Sequence, residues 1–170
     1  FEDVLDALQV SPNLLLCGDL NAHVGELSEV SDAHLDFVVD CPEFLETRRC
    51  ECHAVNKSGK LLVDMAAASN LAIATGRVAG DNGQPSYVGY YKDRRSRPDH
   101  VMLSPALYKL AQAFQMLDTF ASDHCGLSMA FKVAGNAGGM NAPTEGKHVC
   151  QAGLCDIKLT LRWDHDRTFA

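Results

Sequence analysis

The stretch Leu14-Leu15-Leu16-Cys17-Gly18-Asp19-Leu20-Asn21-Ala22-His23 says most about how this chain folds. Three consecutive leucines and a cysteine predict a strand that is buried on both faces. The strand ends at a glycine, and a carboxylate, an amide and an imidazole follow at once. Polar side chains at the end of a buried strand lie at the rim of a sheet, where α/β proteins place their ligand sites. We therefore expect a functional site that begins at Asp19.

Two later stretches repeat this pairing of polar groups with an apolar run. Residues 96–104 contain Asp99 before a strand-like segment, and residues 120–127 contain Asp123 and His124. Carboxylate and amide oxygens bind hard cations, and an imidazole paired with a carboxylate can activate water. Together the three stretches predict metal-assisted hydrolysis of a phosphate ester.

The runs GDLNAHVG, PDHVMLS and SDHCGL, in that order, resemble the C-terminal half of the endonuclease/exonuclease/phosphatase superfamily. That superfamily includes AP endonucleases, DNase I-like nucleases and phosphatases of inositol lipids. The chain most resembles the AP-endonuclease-like endonuclease domains of non-LTR retrotransposons. In those domains a segment like 55–62 precedes a helix, and a strand like 71–76 follows. The resemblance covers roughly residues 5–132 and depends on the order and spacing of the motifs.

The resemblance implies an α/β fold, specifically a partial four-layer α/β sandwich over residues 1–133 that lacks its N-terminal half. A complete domain of the family begins with a half that carries an asparagine, a metal-binding glutamate and usually a tyrosine and a histidine. This chain reaches the GDLN strand almost immediately. Residues 134–170 are expected to form a flexible linker and tail, since 134–143 are rich in glycine and other small residues.

The implied activity is Mg²⁺-dependent phosphodiester hydrolysis on nucleic acid, with Mn²⁺ as the alternative ion. The missing half leads us to expect little or no nuclease activity and poor solubility from the isolated chain, unless that half is supplied separately. Two other functions stay open: a phosphomonoesterase for an inositol lipid or small phosphate, and a non-catalytic retroelement remnant. We expect an intracellular location, and a nuclear one if the chain derives from a retroelement. Besides nucleic acid, the expected partners are the missing N-terminal half or upstream and downstream segments of a polyprotein.

The resemblance also assigns roles to individual residues. Asp19 would orient or deprotonate the attacking water next to the metal ion, and Asn21 would hold a phosphate oxygen. Asp99 would orient His124, which would act as the acid/base, and Asp123 would bind the metal together with Asp19. If strand geometry continues, the side chains of Asp19 and Asn21 point the same way.

Three other polar residues near the motifs receive lesser roles. We expect His23 to lie in a surface loop and His100 to be structural. By resemblance, Ser86 stands where relatives place a threonine near the phosphate.

Charge and hydropathy exclude several classes of protein. The net charge is −7 over 170 residues. Proteins that bind nucleic acid through a broad basic face are instead positively charged. No stretch approaches the ~18 apolar residues of a membrane span. The single basic cluster precedes Asp99 and is either a local phosphate contact or a solvated loop; it comprises Lys92, Arg94, Arg95 and Arg97.

The seven cysteines are expected to be reduced, because no secretion signal precedes them. Cys17 and Cys125 adjoin apolar runs and are interpreted as small buried hydrophobes. An alternative zinc site would combine Cys50, Cys52 and His53 with His148, Cys150 and Cys155, although the spacing fits no common zinc motif. Oxygen-rich ligands at the main site favour Mg²⁺ or Mn²⁺ over Zn²⁺.

Hydrophobic periodicity and turn signals predict the secondary structure. Helices are expected over 1–9, 58–69 and 104–110, and residues 25–57 are expected to be irregular. Strands are expected over 13–18, 71–76, 86–90, 98–103, 114–119 and 127–133.

Overall fold

The structure is a computed structural model that describes residues 2–89, 94–118, 122–134 and 154–161. Within these residues the α-helices are α1 (Glu2–Val10), α2 (Leu35–Asp40), α3 (Lys57–Ala68) and α4 (Pro105–Tyr108). The strands are β1 (Leu15–Asp19), β2 (Ala72–Ile73), β3 (Tyr87–Val88), β4 (Arg95–Ser96), β5 (Asp99–Leu103), β6 (Ala111–Leu117), β7 (Gly126–Ala134) and β8 (Leu154–Leu161). Each helix and strand expected from the sequence is present with shifted ends. The α/β class is therefore confirmed, with small antiparallel sheets.

The sheet that carries the first motif has the strand order β1-β5-β2, and both outer strands run antiparallel to β5. All five residues of β5 are buried, whereas all five of β1 are half-buried. The expectation that β1 is buried on both faces is wrong. Both β1 and β2 are outer strands among the described ones, yet β2 is fully buried, so edge position alone does not account for the half-burial of β1.

The side chains of this sheet alternate between two apolar clusters, as the two-residue period of a strand requires. Leu15 and Cys17 pack against a cluster that includes Val101 and Leu103 of β5. Leu16 packs on the opposite side, where the second cluster contains residues of β2, α3 and β5: Ile73, Leu62, Val63, Ala66 and Met102. The sheet is thus covered on both faces, and α3 covers the second of them.

An apolar groove remains open between β1 and α3. Its lining includes Leu16 and Leu20 on the strand side and Leu61 and Met65 on the helix side. The groove explains why β1 is only half-buried although apolar residues lie on both of its faces.

Two smaller sheets complete the described structure. β3 pairs with β4, and β6, β7 and β8 form a three-stranded antiparallel sheet in that order. Residues 154–161, in the segment interpreted as linker and tail, therefore pair in register with β7. Residues 135–153, which include the glycine-rich run, lie outside the described residues.

The segment 25–57 is more ordered than its lack of periodicity indicated. It contains α2 and two 3-10 turns, Asp32–His34 and Pro42–Leu45. The buried carboxylate of Glu29 holds this segment in place. It accepts hydrogen bonds from the guanidiniums of Arg48 at 2.6 Å and Arg77 at 2.5 Å. It also accepts the main-chain N–H of Ile73 at 2.7 Å. Long-range ion pairs and hydrogen bonds of this kind leave no periodic signal in the sequence.

No helix among the described residues is both long and apolar enough to span a membrane.

Candidate active site

Three residues from distant parts of the chain come together at one end of the β1-β5-β2 sheet. Asp99 Oδ2 lies 2.9 Å from His124 Nδ1, and Asp19 Oδ2 lies 3.8 Å from His124 Nε2. One donor atom from each residue lies within 4.8 Å of the other two. We call Asp19, Asp99 and His124 the catalytic cluster, a name that marks them as candidates for catalysis. The expected contact between Asp99 and His124 is confirmed.

Backbone pairing explains why these residues meet. The antiparallel register of β1 and β5 places Asp19 directly opposite Asp99, so their side chains project from the same face. His124 forms an isolated β-bridge with Tyr87, and the Tyr87 and His124 rings lie 5.1 Å apart between centroids. The N–H of Cys125 donates to Ser86 O at 2.7 Å, which fixes the segment that precedes β7.

Asp99 is fully buried and strongly constrained. Its Oδ2 accepts from Ser86 Oγ at 2.5 Å and from His124 Nδ1. Burial raises the pKa of the Asp99 carboxyl, and the hydrogen bonds from Ser86 and His124 oppose that rise. Ser86 is itself fully buried. Its hydroxyl contacts Asp99 and not, as the resemblance implied, a phosphate.

Asn21 does not continue the geometry of β1. Its φ of 47° lies in the left-handed region, which asparagine tolerates better than most residues. Its N–H donates to Asp19 Oδ1 at 2.9 Å, so the chain turns tightly after the strand. The expectation that Asp19 and Asn21 share a side-chain direction through strand geometry is therefore wrong.

Other residues singled out from the sequence take different positions. Asp123 is exposed and does not belong to the catalytic cluster, and its main-chain oxygen accepts the N–H of Val88 at 2.9 Å. His23 is half-buried in the loop after β1. His100 is fully buried, with Nε2 2.7 Å from Ala22 O and Nδ1 2.8 Å from Thr75 Oγ1, which confirms its structural role.

The basic cluster divides into different environments. Arg97 is buried and forms an ion pair with Asp81, so for this residue neither the phosphate contact nor the solvated loop is correct. Arg94 and Arg95 are exposed, and Lys92 lies outside the described residues.

The cysteines show no metal site within the described part of the chain. Cys50 Sγ donates to Cys52 O at 3.0 Å, and neither thiol joins a metal-binding group there. The zinc alternative also involves His148 and Cys150, outside the described residues, and Cys155, whose side chain is not described. Cys17 and Cys125 are half-buried rather than buried, and burial raises the pKa of both thiols.

The donor set of the catalytic cluster fits Mg²⁺ or Mn²⁺ better than Zn²⁺. The Asp19 side chain is 27% exposed and can reach a hydrated ion. Mg²⁺ is commonly held by one or two carboxylates together with water and substrate phosphate. Asp99 Oδ1 is buried and has no hydrogen-bond partner among the described residues, so an acceptor oxygen is left at the site. A catalytic zinc site takes three protein ligands, whereas the bond between Asp99 and His124 Nδ1 leaves Asp19 Oδ2 and His124 Nε2 as the two remaining donors of the cluster.

Sequence reasoning missed Asn56 and the contact of Tyr87 with His124. Asn56 is the N-cap of α3, and its side chain accepts the N–H of Gly59 at 2.6 Å. An asparagine directly before a helix is a recognisable N-cap, so this signal was present in the sequence. Nothing local indicated the Tyr87 contact.

No family model matches this chain, and no curated protein matches it either.

Proposed function

We propose that this chain is a Mg²⁺-dependent phosphodiesterase of the endonuclease/exonuclease/phosphatase type that acts on nucleic acid. We further propose that its sheets form part of that superfamily's four-layer α/β sandwich. The observation that supports the activity most directly is His124 between two carboxylates, bonded to Asp99 at 2.9 Å and facing Asp19 at 3.8 Å.

The two ring nitrogens of His124 have separate tasks in this proposal. Asp99 accepts the Nδ1–H, which fixes the tautomer and leaves Nε2 as the proton-accepting nitrogen. Nε2, on the Asp19 side, is then the atom that exchanges a proton with water or with the phosphate ester. Ser86 acts through Asp99, because its hydroxyl holds the carboxylate oxygen that His124 uses.

Asp19 orients the nucleophilic water. Its Oδ1 is fixed by the N–H of Asn21, so Oδ2 is directed toward the imidazole. A Mg²⁺ ion at this carboxylate would polarise the phosphoryl oxygen and lower the pKa of water. Asn21, exposed at the turn, offers an uncharged amide to a phosphate oxygen.

Nucleic acid is the proposed substrate because the endonucleases that the motifs resemble act on it, and because the strand that pairs with β3 carries an exposed arginine. Tyr87 of β3 contacts His124, and β4, which pairs with β3, carries Arg95. An arginine on this strand could contact a phosphate next to the one that is cleaved, which favours a substrate with several phosphates over an isolated phosphomonoester.

The test measures cleavage of plasmid DNA, a nitrophenyl phosphodiester and a nitrophenyl phosphomonoester with Mg²⁺, Mn²⁺ or a chelator. Because the described cluster offers Mg²⁺ few protein ligands, we expect slow turnover, and each assay is repeated with the N-terminal half of a family domain added in trans. Asp19→Ala and His124→Ala should each abolish metal-dependent cleavage of DNA. Asp40→Ala, an exposed carboxylate at the end of α2, is the matched control and should cleave at the parent rate.

Preferential cleavage of the phosphomonoester would instead support the phosphatase alternative. If no substrate is cleaved in either arm, the proposal is overturned in favour of a non-catalytic protein.

A further inference from the structure

The loop after β1 carries Asn21 and is held from outside by several contacts. Leu20 N–H donates to Pro98 O at 3.0 Å, and His100 Nε2 contacts Ala22 O. Further hydrogen bonds to this loop come from Asn56, which lies 35 positions after Asn21 in the sequence.

Asn56 contacts the main chain on both sides of Ala22. Its Nδ2 donates to Asn21 O at 2.9 Å, and its Oδ1 accepts the N–H of His23 at 3.0 Å. Its own N–H donates to His23 O at 3.1 Å. Since the same Oδ1 also caps α3 at Gly59, the helix and the loop share a single amide side chain.

Gly59 makes this arrangement sterically feasible. A Cβ at this position would overlap the main-chain oxygen of His23 and lie 2.5 Å from its carbonyl carbon. The first turn of α3 therefore packs directly on the backbone of the loop, and glycine is needed for that close approach.

We propose that Asn56 is a positioning residue of the active site, which sets the orientation of Asn21 and, through it, of Asp19. The chain of contacts is continuous: Asn56 Nδ2 holds the carbonyl of Asn21, and the N–H of Asn21 holds Asp19 Oδ1. The other carboxylate oxygen, Asp19 Oδ2, then faces His124 Nε2. The left-handed φ of Asn21 is a conformation that such external contacts stabilise. The catalytic meaning of this role rests on the proposed function, whereas the structural coupling does not.

The two atoms of the Asn56 amide allow capping and positioning to be separated. Asn56→Asp keeps an oxygen that accepts from Gly59 and His23, and removes the donor to Asn21 O. Asn13→Asp, an exposed residue just before β1, introduces the same charge at the other end of that strand and is the matched control.

Hydrogen exchange followed by NMR is the main measurement. In Asn56→Asp the amide of Asn21 should exchange about tenfold faster or more, while the buried amide of Met102 exchanges at the parent rate. The urea midpoint should stay close to that of the parent protein. Asn13→Asp should change neither amide. Unchanged exchange at Asn21, or equal acceleration at Met102, would overturn the proposal and leave Asn56 as a helix cap only.

Kinetics then test the catalytic consequence separately. With the nitrophenyl phosphodiester, kcat of Asn56→Asp should fall about tenfold or more, as outer-sphere substitutions do, with little change in KM. If the parent protein is inactive both alone and with the N-terminal half added, the proposed function fails, while the exchange result still decides whether Asn56 holds the loop. A faster-exchanging Asn21 with unchanged kcat would refute the positioning of catalytic groups.

Discussion

His100→Gln tests whether the imidazole that contacts the loop after β1 is held neutral. His100 is fully buried, and both ring nitrogens are used by the neutral form: Nε2–H donates to Ala22 O, and Thr75 Oγ1 donates to Nδ1. Burial, reinforced by the nearby cations Arg48 and Arg97, lowers the pKa of His100 to about 3. Glutamine keeps an amide donor and an acceptor but does not titrate.

The sign and size of the pH effect follow from this pKa. The folded state binds a proton at His100 more weakly than the unfolded chain, whose histidine has its ordinary pKa of 6.5. The contribution to stability is therefore complete above that value and is lost as the pH falls toward the folded pKa. From about pH 7 to about pH 5 the loss at this one site amounts to about 2 kcal/mol.

Urea unfolding followed by circular dichroism at these two pH values measures the effect. At neutral pH His100→Gln should be the less stable protein, and its stability deficit should shrink by about 2 kcal/mol at the lower pH. Thr75→Ser keeps the hydroxyl donor and should show the pH dependence of the parent. If the parent and His100→Gln curves remain parallel over this range, the buried neutral histidine is refuted.

Three further predictions concern stability and metal binding. Glu29→Gln should lower the free energy of unfolding by about 3 to 5 kcal/mol, because it leaves two buried guanidiniums without their carboxylate; Lys109→Gln, in an exposed ion pair, should leave the urea midpoint unchanged. Gly59→Ala should destabilise the protein although alanine is the better helix former, because the added Cβ overlaps His23; a more stable variant would contradict that close contact. In titration calorimetry Mn²⁺ should bind weakly, Asp19→Asn should abolish binding, and Cys50→Ser should not affect it. Tight Zn²⁺ binding that Cys50→Ser removes would instead favour the cysteine cluster.

The sequence predicts that five residues converge at one edge of the sheet, because each follows or lies within an apolar run: Asp19, Asn21, Asp99, Asp123 and His124. The structure brings Asp19, Asp99 and His124 together and leaves Asp123 outside the cluster. Strand boundaries are visible in sequence, and strand ends meet at the edges of sheets. The burial of β1 could not be predicted in this way. Runs of leucine mark a strand as apolar, but its burial depends on what packs beside it. The outer strand β2 is fully buried, whereas β1 borders the open groove beside α3.

The direction of Asn21 and the contact of Ser86 with Asp99, both at the candidate active site, could not be predicted either, because they depend on contacts between distant residues. The direction of Asn21 depends on a left-handed φ that the Asp19 carboxylate and the Asn56 amide impose from either side. Ser86 reaches Asp99 across 13 residues of sequence, and its hydroxyl has no local pattern that distinguishes it from a solvated serine. Contacts of this kind exist only after the strands have paired.

The pairing of β1 with β5 also makes the geometry of the candidate active site depend on strand register. In this ladder Asp19 stands opposite Asp99, and a slip of one residue would turn Asp19 to the other face of the sheet, away from His124. Both ends of the ladder resist such a slip: Leu20 N–H donates to Pro98 O beyond one end, and Ser104 N–H donates to Leu14 O beyond the other. An insertion or deletion of a single residue within β1 would therefore leave an apolar strand of nearly the same composition while dismantling the catalytic cluster. The alignment of two strands, 80 residues apart along the chain at Asp19 and Asp99, is thus as much a requirement of the site as the identity of its side chains.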